Sequence, residues 1–271
     1  MGLIDSHAHL TDPGLYGQVE AVLQRCVQSG VERVITIGTD AADAGRAIGL
    51  AERFPDQISA SVGFHPHEAD NVSADDIARM GEHLEHPAVV ALGEIGLDYH
   101  YDLADRSRQR EIFGRQLRLA ADRDLPLVIH CREAFEDAVP ILLDHGMRDS
   151  RVVFHCFTGT MAEAERLAAY GWWISFTGVV TFRTSTPLQA IARRYPSNKL
   201  VVETDSPYLS PVPVRGRRPN EPANVVHIAR FLADLREIPF ETLVEQTTRN
   251  TVDFFRLPPR KNQHSSTPPP F

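Results

Sequence analysis

Hydrophobic positions follow two alternating patterns along the chain. Eight short runs rich in Val and Ile have the length of β-strands, and between them apolar residues recur every three or four positions, as on one helix face. The strand-like runs cover 3–6, 31–38, 58–63, 89–95, 126–130, 151–157, 171–176 and 200–204. The helix-like stretches cover 17–29, 41–53, 74–84, 105–123, 134–143, 161–169, 186–195, 224–235 and 240–255. The pattern predicts eight strands alternating with helices.

Strands that alternate with helices indicate parallel β–α–β units. Eight such units in about 250 residues fit a closed barrel, so the predicted fold class is α/β, a TIM-like (β/α)₈ barrel in a single domain. An open doubly wound sheet has the same alternation and stays as the alternative. The chain has no G-x-G-x-x-G turn after an early strand, which disfavours the dinucleotide-binding form of that alternative.

The barrel domain is predicted to cover residues 1–257, because neither a long linker nor a fixed-period repeat interrupts the pattern. The remaining segment, 258–271, reads PPRKNQHSSTPPPF and is rich in proline and polar residues. Such a composition offers little apolar surface to bury, so this tail is predicted to be a disordered extension.

Composition narrows the class of protein. The chain has 271 residues, 42% of them hydrophobic, and a formal net charge of −8. No apolar run approaches the roughly 18 residues of a membrane helix, and the first residues lack the pattern of a signal peptide. Three cysteines are too few to stabilise a chain of this length through disulfide bonds. We therefore expect a cytoplasmic protein, monomeric and without membrane contact. The acidic charge argues against coating nucleic acid with a broad basic surface.

Six potential metal ligands follow or end the predicted strands. They share a position at the carboxyl end of an apolar run and comprise His7, His9, Glu94, His130, His155 and Asp205. In a barrel those ends meet at one mouth, where active sites are built. A single histidine at a strand end is most often structural, but six ligands at the ends of five strands indicate a metal site.

The donor set indicates divalent ions. Imidazoles and carboxylates together suit transition metals, whereas Mg²⁺ binds less favourably to a site with several nitrogen donors. Six ligands exceed the three or four of one site and predict two ions sharing a carboxylate, as in hydrolases that stabilise both attacking and leaving oxygens. The expected cofactors are two divalent ions per subunit, with Mg, Mn and Zn as candidates.

Several neighbours are candidates for supporting roles. Arg132 has the same strand parity as His130 and is predicted to contact a substrate anion. His65 and His67, in VGFHPH, are candidates for phosphate or water contacts, although His67 reads equally as a loop residue. Glu203 is predicted to orient a ligand from outside the first layer of donors, or to hold a proton.

Other polar residues receive weaker interpretations. Asp98 and Tyr99 are assigned either to the rim of the mouth or to a turn. The segment 211–224, PVPVRGRRPNEPAN, reads equally as a phosphate-steering loop or as a solvated run of charge. The remaining histidines lie in helical, turn or tail sequence and are interpreted as structural: His83, His86, His100, His145, His227 and His264.

The cysteines are not assigned to catalysis or metal binding. Cys131 and Cys156 each follow a candidate histidine, so strand alternation predicts that their side chains point toward the helices. Cys26 lies in a helix-like stretch and is predicted to be part of the core.

These motifs together resemble the TatD family of metal-dependent deoxyribonucleases, within the amidohydrolase-like barrels. The matching segments run in order from the first residues to about 257: DSHAHL (5–10), VGFHPH (62–67), GEIGLDYH (93–100), HCREAF (130–135), HCFTG (155–159), ETDSPYLSP (203–211), RGRRPNEPANV (215–225) and RNTVDFFRL (249–257). The resemblance implies a TIM-like barrel, with His7, His9, Glu94 and Asp205 on one ion and Glu94, His130 and His155 on another. It also implies that His65 and Arg132 contact substrate phosphate.

The implied activity is metal-dependent hydrolysis of DNA phosphodiester bonds, as a 3′–5′ exodeoxyribonuclease preferring single-stranded DNA. Asp205 and Glu94 are the candidate catalytic residues: Asp205 would orient a metal-activated water or accept its proton. The same site chemistry suits a hydrolase of ester or amide bonds, such as a D-aminoacyl-tRNA deacylase-like enzyme. A metal-holding scaffold without turnover is the remaining alternative, although structural zinc sites are closed four-ligand sites.

Overall fold

Eight parallel strands form one sheet that curls into a nearly closed barrel. The computed structural model describes residues 2–121 and 123–258. The strands pair in chain order, which confirms the predicted (β/α)₈ barrel over a doubly wound sheet. Their bounds are β1 (Leu3–Ala8), β2 (Val31–Gly38), β3 (Ile58–Val62), β4 (Val89–Asp98), β5 (Leu127–Arg132), β6 (Val152–Phe154), β7 (Trp173–Phe176) and β8 (Leu200–Val202).

Helices follow the strands and pack around the barrel. Their bounds are α1 (Pro13–Tyr16), α2 (Val19–Gln28), α3 (Ala41–Arg53), α4 (Ala74–His83), α5 (Arg106–Ala120), α6 (Phe135–Asp144), α7 (Met161–Ala169), α8 (Thr186–Arg194), α9 (Val225–Arg236) and α10 (Phe240–Phe255). Polar caps fix where α4 and α7 begin: Ser73 and Thr160 each accept a hydrogen bond from the third helical residue, completing a capping box. The loops at the mouth therefore end at defined residues.

Six of the eight strands end one to three residues from their predicted positions, and β4, β6 and β8 matter most for the polar residues at the mouth. β4 continues to Asp98, whereas the apolar run that predicted it stops at residue 95. β6 and β8 end at Phe154 and Val202, earlier than predicted, because the chain turns before the polar residues that follow. His155 and Asp205 accordingly lie in loops just beyond their strands.

The amino-terminal half of the barrel interior is filled by apolar side chains. One buried cluster joins interior residues of six strands to the end of α10 and the segment just after it: Ile4, Ile35, Ile37, Ala91, Val128, Val153, Val201, Phe254, Phe255 and Leu257. A larger core lies between the strands and the surrounding helices. The apolar filling leaves only the carboxyl end of the barrel for polar chemistry.

The barrel closes beside that carboxyl end. Ala8 and Ser206 form a parallel bridge between β1 and the segment after β8. The backbone N–H of Asp205 donates to the carbonyl of His7 at 3.0 Å, and that of His9 donates to Ser206 at 2.7 Å. Closure therefore fixes residues from both ends of the chain against each other.

Two predictions concern the ends of the chain and the membrane. The disordered tail predicted for 258–271 lies outside the described residues apart from Pro258. Within the part of the chain that the structure describes, no helix combines the length and apolar character needed to cross a bilayer.

Candidate metal centre

Glu94 lies at the centre of the polar cluster, and its two carboxylate oxygens face different side chains. Oε2 lies 3.3 Å from Nε2 of His7 and 3.8 Å from Nε2 of His9. Oε1 lies 2.6 Å from Nδ1 of His130 and 2.6 Å from Nε2 of His155. This arrangement suits one carboxylate shared between two cations.

Asp205 lies on the Oε2 side of Glu94. Its Oδ1 is 3.3 Å from Nε2 of His9 and 3.7 Å from Nε2 of His7. The backbone of Asp205 adopts a left-handed conformation (φ 55°) as the chain leaves the barrel. The structure thus brings all six sequence-predicted ligands to one place, and their individual roles stay predictions.

Two glycines explain how β4 presents Glu94. Gly93 and Gly96 have φ values of 153° and 140°, which side chains rarely allow. A Cβ at Gly93 would lie 2.5 Å from the carbonyl oxygen of Val128, so β4 and β5 approach closely here. The β4–β5 register shifts between Leu92 and Ile95, and this irregularity accompanies the entry of Glu94 into the mouth.

His65 lies among the donors. Its Nε2 is 3.3 Å from Nδ1 of His130 and 3.5 Å from Oε1 of Glu94, and these three residues form a group close enough to hold a cation. His65 thus has the position of a further ligand on the Oε1 side. The phosphate contact assigned to it by resemblance remains a prediction.

Asp98 orients His130 from behind, a role that the sequence did not reveal. The Oδ2 atom of this buried carboxylate lies 2.9 Å from Nε2 of His130 and 3.0 Å from Nε2 of His67. His130 therefore directs its other nitrogen at Glu94, as metal-binding histidines do when a carboxylate holds the distal nitrogen. Asp98 follows Glu94 by four residues, which is twice the two-residue repeat of a strand, and β4 continues that far. This spacing was the available signal in the sequence.

Glu203 and Asp5 support the side of the cluster that lies across from Asp98. Glu203 accepts a 2.7 Å hydrogen bond from the backbone N–H of Cys156 and lies 3.4 Å from Nδ1 of His155, which suits its predicted orienting position. Asp5 was missed by the sequence interpretation: it is fully buried and accepts hydrogen bonds from both the backbone and hydroxyl of Thr204. A carboxylate inside an apolar strand, two residues before a candidate ligand, was the available signal.

Electrostatics favour an ionised Glu94 and divide the imidazoles around it into two groups. Burial tends to raise the pKa of Glu94, but His155, His65 and hydrogen bonds from the cluster lower it well below its usual value. Burial lowers the pKa of His7, and it lowers the pKa of His65 to about 4. Burial also tends to lower the pKa of His9, His130 and His155, but hydrogen bonds and charges of neighbouring carboxylates raise it, so a cation that binds these three rings would release protons.

The residues present fit the predicted divalent ions. Both ring nitrogens of His7 are buried and form no hydrogen bond with the described residues. Leaving such atoms unsatisfied costs about 1–3 kcal/mol each, which a bound cation would offset at Nε2. Two groups of potential ligand atoms include His7, one with His9 and Glu94 and one with His155 and Glu203.

Arg132 lies at the rim beside an exposed aromatic residue. Its Cζ is 5.9 Å from the ring centroid of Tyr101, whose exposed fraction is 59%. Over the described residues, the Arg132 guanidinium forms no ion pair. The charge is therefore available to an anion, and the contact with substrate stays a prediction.

Two of the three cysteines lie where they were predicted to lie. Cys26 is buried in the core and Cys131 packs against it, as predicted. The prediction for Cys156 is wrong, because β6 has already ended and Cys156 adopts a left-handed conformation (φ 43°). Its thiol lies 3.5 Å from the hydroxyl of Thr177. Burial, followed by the charges of Asp205 and Glu203, raises the pKa of this thiol, which disfavours a nucleophilic thiolate.

The remaining histidines stay apart from the Glu94 cluster where the structure describes them. His86 contacts Glu52 at 3.2 Å, His100 contacts Glu133 at 2.7 Å, and His145 contacts the carbonyl of Ile141. The described members of this set are His83, His86, His100, His145 and His227, and His264 lies outside the described residues.

Known proteins share this fold and much of this sequence. A family model described as TatD related DNase matches residues 4–256. YabD of Bacillus subtilis (strain 168), named an uncharacterized metal-dependent hydrolase, is 38% identical over 255 residues, which cover 94% of this chain and 99% of YabD. The 3′–5′ ssDNA/RNA exonuclease TatD of Edwardsiella piscicida is 35% identical over 259 residues, with 94% and 100% covered. The crystal structure of YJJV, a TatD homologue from Escherichia coli K12, has a TM-score of 0.89 and 31% identity, covering 94% of this chain and 98% of YJJV. The chain is a metal-dependent hydrolase and belongs to the family of TatD-related DNases.

Proposed function

We propose that this chain is a divalent-metal-dependent exodeoxyribonuclease that shortens single-stranded DNA from its 3′ end. The observation that carries the proposal is Glu94, whose two oxygens face two separate sets of donors. Two cations about one carboxylate suit phosphoryl transfer, in which the attacking and leaving oxygens both need stabilisation. The likeness to the TatD exonuclease of Edwardsiella piscicida supports the substrate and the polarity.

Two groups of side chains share Glu94, and each would hold one ion: His7, His9 and Asp205 on one side, His130 and His155 on the other. Mg, Mn and Zn are the candidate metals for this mixed set of donors. When bound, such ions lower the pKa of water to about 7 and neutralise charge on phosphoryl oxygens.

The chain supplies the base and the anion contact. Asp205 keeps a side-chain exposure of 14%, so its carboxylate reaches the mouth and can accept the proton of the attacking water. Arg132 carries a charge without an ion-pair partner in the described parts of the chain and would stabilise the phosphate. The water oxygen bonds to phosphorus, and the bond from phosphorus to the 3′ oxygen of the preceding nucleotide breaks. That oxygen takes a proton from solvent and becomes the new 3′-hydroxyl of the strand, and the released nucleotide keeps its 5′-phosphate.

The test uses single-stranded DNA of about 20 nucleotides, labelled at its 5′ end, with enzyme loaded with Mg²⁺, Mn²⁺ or Zn²⁺. We expect a ladder that shortens progressively and disappears when a chelator is added. The variants His130→Ala and Asp205→Ala should lose this activity while keeping the circular dichroism spectrum of the unsubstituted enzyme. Full activity in both variants would overturn the proposal.

Polarity and bond type are tested with two further substrates. DNA labelled at its 3′ end should release a labelled mononucleotide in the first turnover, whereas immediate release from 5′-labelled DNA would reverse the polarity. A D-aminoacyl-tRNA is incubated in parallel, because the same centre suits hydrolysis of an ester. Cleavage of that ester alone, with intact DNA, would replace the nuclease by the deacylase-like alternative.

The protein is also proposed to act as a cytoplasmic monomer. Size-exclusion chromatography with light scattering should give the mass of one chain, 30.2 kDa. A mass of two or more chains would contradict this part of the proposal.

A further inference from the structure

The loops around the mouth carry opposite charge on its two sides. The acidic rim, residues 63–73 and 99–105, contains four carboxylates and neither Lys nor Arg: Glu68, Asp70, Asp102 and Asp105. The basic rim, residues 177–185 and 206–220, contains four arginines and neither Asp nor Glu: Arg183, Arg215, Arg217 and Arg218. The first rim follows β3 and β4, and the second follows β7 and β8. This separation cannot be read from the net charge of −8, which sums over the whole chain.

The arginines of the basic rim are available to a ligand. All four are exposed, and within the described residues none of them forms an ion pair. On the acidic rim, Asp102 pairs with Arg106 at 2.8 Å, whereas Glu68, Asp70 and Asp105 have no such partner in the described chain. The two sides therefore differ in net charge after their internal pairs are considered.

The basic rim is held in a defined shape. The guanidinium of Arg215 lies 4.0 Å from the ring centroid of Phe182, which joins the loop after β8 to the loop after β7. The backbone N–H of Val212 donates to the hydroxyl of Thr181 at 2.9 Å. The carbonyl of Arg217 accepts a 2.6 Å hydrogen bond from Ser210. These contacts hold the arginine loop against the barrel.

An exposed tyrosine connects this rim to the metal centre. The exposed fraction of Tyr208 is 56%, and its ring centroid lies 6.0 Å from that of His9. Its backbone is fixed on both sides, since its N–H donates to Asp205 and its carbonyl accepts from the side chain of Asn220. Arginines beside an aromatic platform are the combination with which proteins hold single-stranded nucleic acid.

We propose that the basic rim binds the body of the single strand, with phosphates on the four arginines and a base stacked on Tyr208. The acidic rim repels phosphates, so that side admits only the terminal nucleotide, whose single phosphate lies at the metal centre and whose sugar and base carry no charge. The division of charge then restricts cleavage to strand ends and retains the shortened strand between turnovers. This inference rests on the proposed nuclease function and adds to it the path of the strand.

The test compares long and short substrates. The double variant Arg217→Gln/Arg218→Gln is matched by Arg194→Gln/Arg249→Gln, which removes the same charge from exposed positions in α8 and α10. For each protein, kcat/KM is measured on a 20-mer and on a dinucleotide with one phosphodiester. In the rim variant, the ratio of the two values should fall about tenfold, and the slope of log KM against log salt should flatten by about 1.4. An equal ratio in both double variants would overturn the inference.

Tyr208 provides an independent check. Tyr208→Ala should raise KM for the 20-mer about tenfold. Tyr208→Phe keeps the ring, so its KM should stay close to that of the unsubstituted enzyme. Equal losses in both variants would show that the hydroxyl matters and would reject the stacking role.

Failure of the nuclease proposal is separable from failure of the rim. If the unsubstituted enzyme cleaves neither substrate with any metal, the proposed function fails. The rim is then judged by fluorescence anisotropy with labelled oligo-dT in the presence of EDTA. Equal affinity in the rim variant and its matched control would reject the rim as a strand-binding surface.

Discussion

The two ends of the barrel are built from the same strands but differ in chemistry. On β5, Val128 belongs to the apolar interior, and His130, two residues later, contacts Glu94. After β6 the same step leads from Val153 to His155. One alternating strand face therefore supplies both the core and the candidate active site, and position along the strand decides which.

This division also separates stability from function. The amino-terminal end buries Phe254 and Phe255 completely or nearly so, and such burial stabilises the fold. The carboxyl end buries Asp5 and Glu94, whose desolvation costs free energy that their partners offset in part. Substitutions at opposite ends should consequently change different measured quantities.

Glu94→Gln should give the largest effect, because it removes the charge shared by both sets of donors. We expect kcat/KM on single-stranded DNA to fall by at least about a thousandfold. The melting temperature of the metal-free protein should stay the same or rise, since a buried charge is removed. Activity within tenfold of the unsubstituted enzyme would show that the centre does not depend on this carboxylate.

Phe254→Ala should destabilise the amino-terminal end of the barrel. Removing a buried phenyl ring typically lowers the free energy of unfolding by about 3–5 kcal/mol, and urea denaturation measures that loss. The kcat of the molecules that remain folded should stay within about threefold, because the metal centre is not touched. A large loss of kcat at low temperature, with the fold intact, would mean that the two ends are coupled.

Asp98→Asn should have an intermediate effect at the carboxyl end. The amide keeps the shape but removes the charge that orients His130, so metal affinity should fall about 10- to 100-fold. Isothermal titration calorimetry measures this affinity. Excess metal should restore most of kcat, as expected of a positioning residue. Unchanged metal affinity would assign Asp98 to folding alone.

Cys131→Ala should have the smallest effect, although Cys131 directly follows His130. Burial raises the pKa of its thiol to about 12, so the reactive thiolate is scarce at neutral pH. We expect kcat/KM to stay within about twofold, and iodoacetamide should modify the native protein slowly at pH 8. Rapid modification with loss of activity would place this thiol in the active site.

The sequence predicted the barrel because periodicity of two and of three to four residues directly reflects strands and helices. Parity also succeeded on β5, where Val128, His130 and Arg132 follow regular alternation. On β1, strand alternation alone did not predict that His7 faces the interior. Ile4 faces the interior, and every second residue after it gives Ser6 and Ala8 but not His7. The β1–β2 register shifts between Asp5 and Ala8, which interrupts the alternation. His7 and Glu94 were found by residue type and by their place at the ends of apolar runs.

Other features of the site depend on contacts between distant segments. Asp98 acquires its role only from His130 and His67, which reach it from two other parts of the chain. The length of a strand was equally hidden, because the turn after Phe154 depends on packing that local hydrophobicity does not describe. These are properties of the assembled barrel, so a single sequence gives little access to them.

The hydrogen bonds between the two ends of the barrel sequence have a consequence for biosynthesis. His7 and Asp205 contact each other only where β1 meets the segment after β8, at the bridge between Ala8 and Ser206. A growing chain therefore lacks one wall of the metal centre until β8 has left the ribosome. Closing so long a loop is slow relative to local folding. The enzyme can thus acquire its hydrolytic capacity only after most of its chain has been synthesised.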